Sequence, residues 1–162
     1  MSEASVLVNV DADGIGVMTL NRPDMHNAFD EHLIADITAK LKKLDRDPKV
    51  RVVVMAGNGR SFSAGADLNW MKRMAKYTYA QNLKDARALA EMLKTLDRLY
   101  KPTIARVHGH AFAGGTGLVA VPMLLSTVDA AVNDAISTPL LSMRGFRYTP
   151  NAFGNAVDFG VM

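Results

Sequence analysis

The chain has 162 residues, 49% of them hydrophobic and 22% charged, with a net charge of +3. This is the composition of a globular chain of one-domain length with enough apolar residues for a core, and it excludes a disordered chain. There is no cysteine, which excludes disulfides, thiolate metal sites and cysteine nucleophiles.

The mild basic balance includes no Lys/Arg block, so nucleic acid is not expected as a partner. No apolar run is long enough to span a bilayer, and the residues Met1 to Ser5 lack a secretory pattern. The expectation is a cytoplasmic protein with no membrane association.

In chain order, Val6, Val8 and Val10 alternate with polar residues and predict a strand. Asp11-Ala12-Asp13-Gly14 predicts a turn, and residues 15–20 a second strand that completes a hairpin. Pro23 cannot continue a ladder, so a loop follows. Asn27 or Asp30 is placed to cap the next helix, whose apolar face is Leu33, Ile34, Ile37, Leu41 and Leu44. Lys40, Lys42, Lys43 and Arg46 supply its solvated face.

Residues 50–55 are almost continuously apolar and β-branched, as expected of a strand buried on both faces. A loop follows, then a helix from Ala66 to about Lys76, with Asp67 placed to cap it. A break is expected at 77–79. Residues 83–99 predict an amphipathic helix with Ala86, Leu89, Ala90, Leu93, Leu96 and Leu99 on one side. Residues 103–107 form another short buried strand before the glycine-rich stretch 108–117, with a helix starting at Leu118. Strands alternating with helices argue for an α/β fold with right-handed crossovers.

Two loops carry the chemistry. Phe62-Ser63-Ala64-Gly65-Ala66-Asp67-Leu68 and His108-Gly109-His110-Ala111-Phe112-Ala113-Gly114-Gly115-Thr116-Gly117-Leu118 each follow a buried strand and open a helix. Small residues let backbone approach a ligand closely, and helix-start N–H groups favour negative charge. Two such loops can place two N–H groups around one oxygen, and one such donor is worth about 3 kcal/mol to a developing oxyanion.

Leu20-Asn21-Arg22-Pro23 followed by Asn27-Ala28-Phe29, then Ser63-Ala64-Gly65-Ala66-Asp67-Leu68, then Lys101-Pro102-Thr103-Ile104-Ala105 running into Gly109 and Ala113-Gly114-Gly115, resembles the crotonase (enoyl-CoA hydratase/isomerase) superfamily over about residues 6–120. The resemblance implies an α/β fold of repeated ββα units arranged as a spiral. It implies an acyl-CoA partner, with coenzyme A arriving as part of the substrate and no covalently bound cofactor. The thioester oxygen would be held by the N–H groups of Ala66 and Gly114. Arg22, Met25, His26, Asn27 and Ala28, with Ala64, Gly65, Asp67, Leu68, Lys72, Gly115 and Gly117, would border the bound molecule. Arg73 joins Lys72 as a candidate phosphate contact. The family forms trimers and dimers of trimers, so a homo-oligomer is expected.

The sequence departs from this pattern in three places. Hydratases of the family add water with two glutamates; the matched positions here are Gly117 and Leu140, which follows Ser137-Thr138-Pro139. Neither can move a proton. The match weakens after Ala120, so residues 1–120 read as a crotonase-like core and 121–162 as a divergent or truncated continuation. Gly145 and Pro150 answer to the family's next glycine and proline with altered spacing. By this resemblance, the family's C-terminal trimerisation helices are expected to be missing from these 162 residues. Together these features favour a truncated or frame-disrupted chain, and the alternative function is a catalytically silent module with a binding role only. The run from Gly114 to Ala120 resembles the branch that includes methylglutaconyl-CoA hydratase and tolerates a small residue at 117.

Further residues have plain readings. His108 and His110 flank the second loop as packed histidines or as acid/base groups. Met71 and Met74 are placed to line an acyl tunnel, and Trp70 to join the core or a subunit contact. No His or carboxylate spacing suits a metal.

Overall fold

A computed structural model describes residues 4–127. The chain divides into two compact units, Met1–Ser126 and Thr127–Met162; apart from Thr127, the described residues belong to the first. The expectations for Ser137 to Leu140, Gly145 and Pro150 lie outside the described residues.

The hairpin forms as predicted: β1 (Val6–Val10) pairs antiparallel with β2 (Ile15–Leu20). Asp11 Oδ1 closes the turn by accepting from the N–H groups of Asp13 and Ile15 at 3.0 and 2.8 Å. Val6 is buried but Val8 is 40% exposed, so β1 buries less of its alternating face than the pattern suggests. Among the described residues this is an edge strand, with a neighbour on one side only.

Helix α1 (Glu31–Arg46) follows. Of the two candidate caps it is Asp30 that works, its Oδ1 accepting from Leu33 N–H at 2.8 Å; such a cap contributes about 0.5–2 kcal/mol. Leu33, Ile34, Ile37, Leu41 and Leu44 are all buried, as the helical spacing requires. Strand β3 (Val52–Gly57) lies between β2 and the later β5 (Thr103–Val107), parallel to both, which is why it is apolar on both faces. The five-stranded sheet has the order β1-β2-β3-β5-β7, with β7 at Leu124–Thr127.

Two short strands were not apparent in the sequence. β4 (Ser61–Ser63) and β6 (His110–Ala111) pair parallel in a separate two-stranded sheet. With them, the order reads as three successive ββα units: β1-β2-α1, β3-β4-α2 and β5-β6-α4, where α2 is Leu68–Met74 and α4 is Gly114–Ala120. A further helix, α3 (Tyr79–Asp97), joins the second unit to the third and packs on α1.

Three boundaries differ from the predicted ones for identifiable reasons. Helix α2 starts at Leu68 instead of Ala66 because Asp67 caps it from outside. Helix α3 starts at Tyr79, four residues early, because Thr78 and Gln81 form a reciprocal capping box. Its buried residues are Met92 and Leu96, while Ala86 and Ala90 are exposed. Helix α4 starts at Gly114, within the glycine run, and not at Leu118.

The close packing of α4 explains that start. A Cβ built on Gly115 would stand 2.7 Å from the Ser63 carbonyl oxygen, so only glycine lets the helix rest on β4. Gly117 is different: its built Cβ meets only the Leu93 side chain, at 3.4 and 3.5 Å, an ordinary contact. The two glycines of one helix should therefore respond oppositely to a methyl group. Gly117→Ala is expected to raise stability by roughly 0.5–1 kcal/mol, the cost of glycine in a helix interior. Gly115→Ala should lower it by about 1–3 kcal/mol through overpacking. Urea unfolding of the two variants checks this, and the reverse order would contradict the packing.

Candidate active site

The segment between β2 and α1 is closed by its own hydrogen bonds. Arg22 N–H donates to Asn27 Oδ1, and Arg22 C=O accepts from Asn27 N–H, both at 2.9 Å. Asn27 Nδ2 donates to the carbonyls of Asn58 and Ser61, each at 2.9 Å. Asn27 is fully buried, and both it and His26 have positive φ, 53° and 50°. Asn tolerates this region better than most residues. The two left-handed residues turn the chain so that Ala28 and Phe29 run back beside Gly65.

The Arg22 side chain points into the fold. Its Nη1 donates to Ala28 C=O at 2.9 Å and pairs with Asp30 Oδ2 at 2.9 Å, while Nη2 lies 3.6 Å from Asp67 Oδ2. Both carboxylates are helix caps. Asp30 caps α1, and Asp67 Oδ1 accepts from the N–H groups of Asn69 and Trp70 at 2.7 and 3.1 Å. One guanidinium thus serves the starts of two helices.

The loop carrying Ala66 is fixed against this segment. Ala64 N–H donates to His26 C=O at 2.8 Å. Phe29 N–H donates to Gly65 C=O at 2.6 Å, and Asp67 N–H to Phe29 C=O at 2.7 Å, which makes a parallel bridge of Phe29 with Ala66. The residues on either side of Ala66 are pinned, and Ala66 itself is directed away from Phe29.

The loop carrying Gly114 reaches the same place from the other side. Phe112 N–H donates to Ser63 C=O at 2.9 Å. Gly65 has φ 85°, and a Cβ built there would stand 2.8 Å from Phe112 O and 3.1 Å from Gly114 N. The two loops therefore touch backbone to backbone, and only glycine permits it. Ala113 is held at φ 44°, ψ −119°, a conformation costing a non-glycine residue about 1–3 kcal/mol. Gly115 and Thr116 N–H groups turn back to Phe112 and Ala113 carbonyls at 2.7 and 3.0 Å. Among the described residues, neither Ala66 N–H nor Gly114 N–H donates a hydrogen bond.

The remaining candidates divide by exposure. Leu68 is 72% exposed and Met25 41%, unusual for large apolar side chains, and Met71 and Phe112 are also exposed. His26 is exposed, with Nδ1 3.2 Å from Ser61 Oγ. Lys72 is exposed and has no ion pair among the described residues. Arg73 is engaged by both Glu31 oxygens at 2.8 Å, and its hydrogen bonds to Tyr77 and Glu31 raise its pKa above the ordinary arginine value. Trp70 is buried, its indole N–H 3.3 Å from Asp85, and Met74 packs on the core. His108 bonds Gly59 C=O at 2.8 Å, and His110 stacks on Phe112 with centroids 5.1 Å apart.

Three residues emerge that the motifs alone do not single out. Ser63 Oγ donates to Asn27 C=O at 3.0 Å and accepts from Gly65 N–H at 3.2 Å, joining the loops. Lys101 Nζ donates to the carbonyls of Asp47 and Val50 at 3.0 and 2.5 Å, closing the α1–β3 connection. Phe29 is the third. Their signal was small: a buried serine or lysine needs partners, but the sequence does not name them. No group of three or more His, Asp or Glu among the described residues is placed to hold a metal ion.

Asn27 offers a direct check of this construction. Asn27→Ala should lower stability by about 2–4 kcal/mol, because it leaves the buried Ser61 carbonyl and the partly buried Asn58 carbonyl and Arg22 N–H without their partner. Denaturant unfolding measures it, and a loss under about 0.5 kcal/mol would mean the loop is held otherwise.

The chain spans about half the length of the curated relatives it matches. One is the probable enoyl-CoA hydratase EchA12 of Mycobacterium tuberculosis, 31% identical over 97% of this chain and 58% of its own length. That alignment continues past Ala120, where the motifs weaken. Among solved structures, an enoyl-CoA hydratase from Shewanella pealeana is 39% identical, with a TM-score of 0.74 over 76% of this chain and 46% of its own. One from Mycobacterium smegmatis is 35% identical, with a TM-score of 0.72 over 77% of this chain and 48% of its own. The enoyl-CoA hydratase/isomerase family model matches residues 11–133. With this match over most of the chain, and with the ββα units and paired loops described above, the chain belongs to the enoyl-CoA hydratase/isomerase family, of which it represents the N-terminal region.

Proposed function

We propose that this chain binds an acyl-CoA thioester and holds its carbonyl oxygen between the N–H groups of Ala66 and Gly114, stabilising the enolate that forms there. The observation that carries this is the pair of unpartnered N–H groups in two loops that touch and are otherwise pinned. Donors fixed before the charge develops need no reorganisation, and each is worth about 3 kcal/mol to the enolate. Coenzyme A comes and goes with the acyl group, so no separate cofactor is required.

Exposed Met25 and Leu68 offer apolar surface to the adenine, and Lys72, which has no ion pair among the described residues, offers a charge to the phosphates of coenzyme A. Ala28, Ala64, Gly65 and Gly115 keep the path to the donors small. A branched enoyl-CoA such as methylglutaconyl-CoA is the acyl class we favour, on the resemblance of the run from Gly114 to Ala120. The family pattern further supports a homo-oligomer, trimer or hexamer, acting in the cytoplasm.

A second reading has its own observation. Gly117 carries no proton-transferring group and faces Leu93, which favours thioester binding without water addition. Hydration of methylglutaconyl-CoA by the purified chain separates the two readings.

Binding is tested by calorimetry with butanoyl-CoA, and carbonyl polarisation by infrared spectroscopy of the same thioester labelled with carbon-13 at the carbonyl. Bound thioester should show a lowered C=O stretch relative to solution. Gly114→Pro removes one donor N–H, and its ring also crowds Phe29 and the strained Ala113. It should shrink that lowering and, where turnover is measurable, cut the rate by about 10²–10³. A well-folded sample that binds no thioester would overturn the proposal.

A further inference from the structure

We infer that Phe29 is a positioning residue for both oxygen-binding donors, setting where Ala66 N–H and Gly114 N–H stand relative to each other; this rests on the thioester reading above. Its backbone fixes the first donor. The two hydrogen bonds of the Phe29–Ala66 bridge run to Gly65 C=O and from Asp67 N–H, at 2.6 and 2.7 Å, so they bracket Ala66 and leave its N–H directed to the far side.

Its ring supports the second donor. A Cβ built on Gly114 would stand 3.3 and 3.5 Å from ring carbons Cε2 and Cδ2 of Phe29, with Gly65 Cα next at 4.0 Å. The side of Gly114 where a side chain would stand therefore faces the ring edge. One residue touches both loops, the first through its main chain and the second through its side chain.

Phe29 has little freedom to move. It is 1% exposed. Ala28 C=O on one side and Asp30 on the other are both held by Arg22 Nη1 at 2.9 Å. The width of the ring acts as the spacer between the loops. A narrower side chain lets Gly114 settle away from the oxygen, and a methyl group on Gly114 pushes the loop off the ring. Neither change touches the surface offered to the coenzyme A moiety, so binding and carbonyl polarisation should separate.

The test uses the full chain, butanoyl-CoA labelled at the carbonyl, and free coenzyme A. Phe29→Leu should lose at least half of the wild-type lowering of the C=O stretch, while its Kd for free coenzyme A changes less than about twofold, a shift within the ±0.5 kcal/mol of a change away from the contact. Gly114→Ala should lose a similar share, and the double variant Phe29→Leu/Gly114→Ala should recover part of it, since the smaller side chain makes room for the methyl group. Ile37→Val, a core change on α1, controls for general loosening and should leave the stretch unchanged. No lowering in the wild type would sink the thioester reading itself. A lowering that is the same in wild type, Phe29→Leu and Gly114→Ala would overturn the role of Phe29 alone. If Phe29→Leu does not fold, Gly114→Ala against Ile37→Val still decides, because the former places its methyl group against the ring.

Discussion

A single guanidinium, that of Arg22, lies between two helix-capping carboxylates, and the site is arranged around it. Asp30 and Asp67 have side chains only 16% and 6% exposed, and Arg22 is 22% exposed. Two largely dehydrated anions this close would repel and would be costly alone. Arg22 makes the arrangement tenable by donating to one at 2.9 Å and lying 3.6 Å from the other. Each carboxylate keeps its other oxygen for the first N–H groups of a helix, where negative charge is favoured. The starts of α1 and α2 are thereby tied to one point. The same guanidinium donates to Ala28 C=O, so the strand-like residues that bridge to Ala66 are tied to it too.

From that point the loops can be brought into contact. Gly65 and Gly115 remove the side chains that would hold β4, β6 and α4 apart, and Ser63 fills the junction with hydrogen bonds to both neighbours. The result leaves two backbone N–H groups, on half-buried Ala66 and Gly114, without a partner among the described residues, together with a strained Ala113. Free backbone donors beside a strained residue are the local inconsistency expected of a functional site. The free donors and the strain lie at the same place, and a thioester oxygen would relieve the first.

Much of this was legible in the sequence because it depends on short-range pattern. The face of α1 follows from 3.6-residue spacing, β3 from an unbroken β-branched run, and the turn at Asp11 from Asp and Gly. The two loops were legible as small residues between a strand and a helix. What escaped depends on contacts between distant positions or on competing local signals. Of the capping box, Thr78 lay within the residues 77–79 expected to break a helix, and Gln81 just before the expected helix start. Helix α4 begins in glycines, against their propensity, because packing on Ser63 outweighs it. Strands β4 and β6 are two or three residues long, too short to show a period. Arg22, 45 residues before Asp67 in sequence, carries no sign of its partner.

The same commitments bear on what chemistry this region can do. Enolate formation needs an oxygen-binding site and also a group that moves a proton. Among the described residues, the carboxylates beside the paired loops are Asp30 and Asp67, and both are taken up by Arg22 and helix N–H groups. His108 is engaged by Gly59 C=O and His26 by Ser61 Oγ. Gly117, one turn into α4 from the Gly114 donor, has room for a Cβ but bears none. The two N–H groups proposed to polarise a thioester are thus separate from these side chains. They belong to backbone held by packing, and so they persist whether or not a carboxylate stands at position 117. A thioester bound as proposed would be recognised through this main chain, and the reaction that follows would fall to the side chains placed around it.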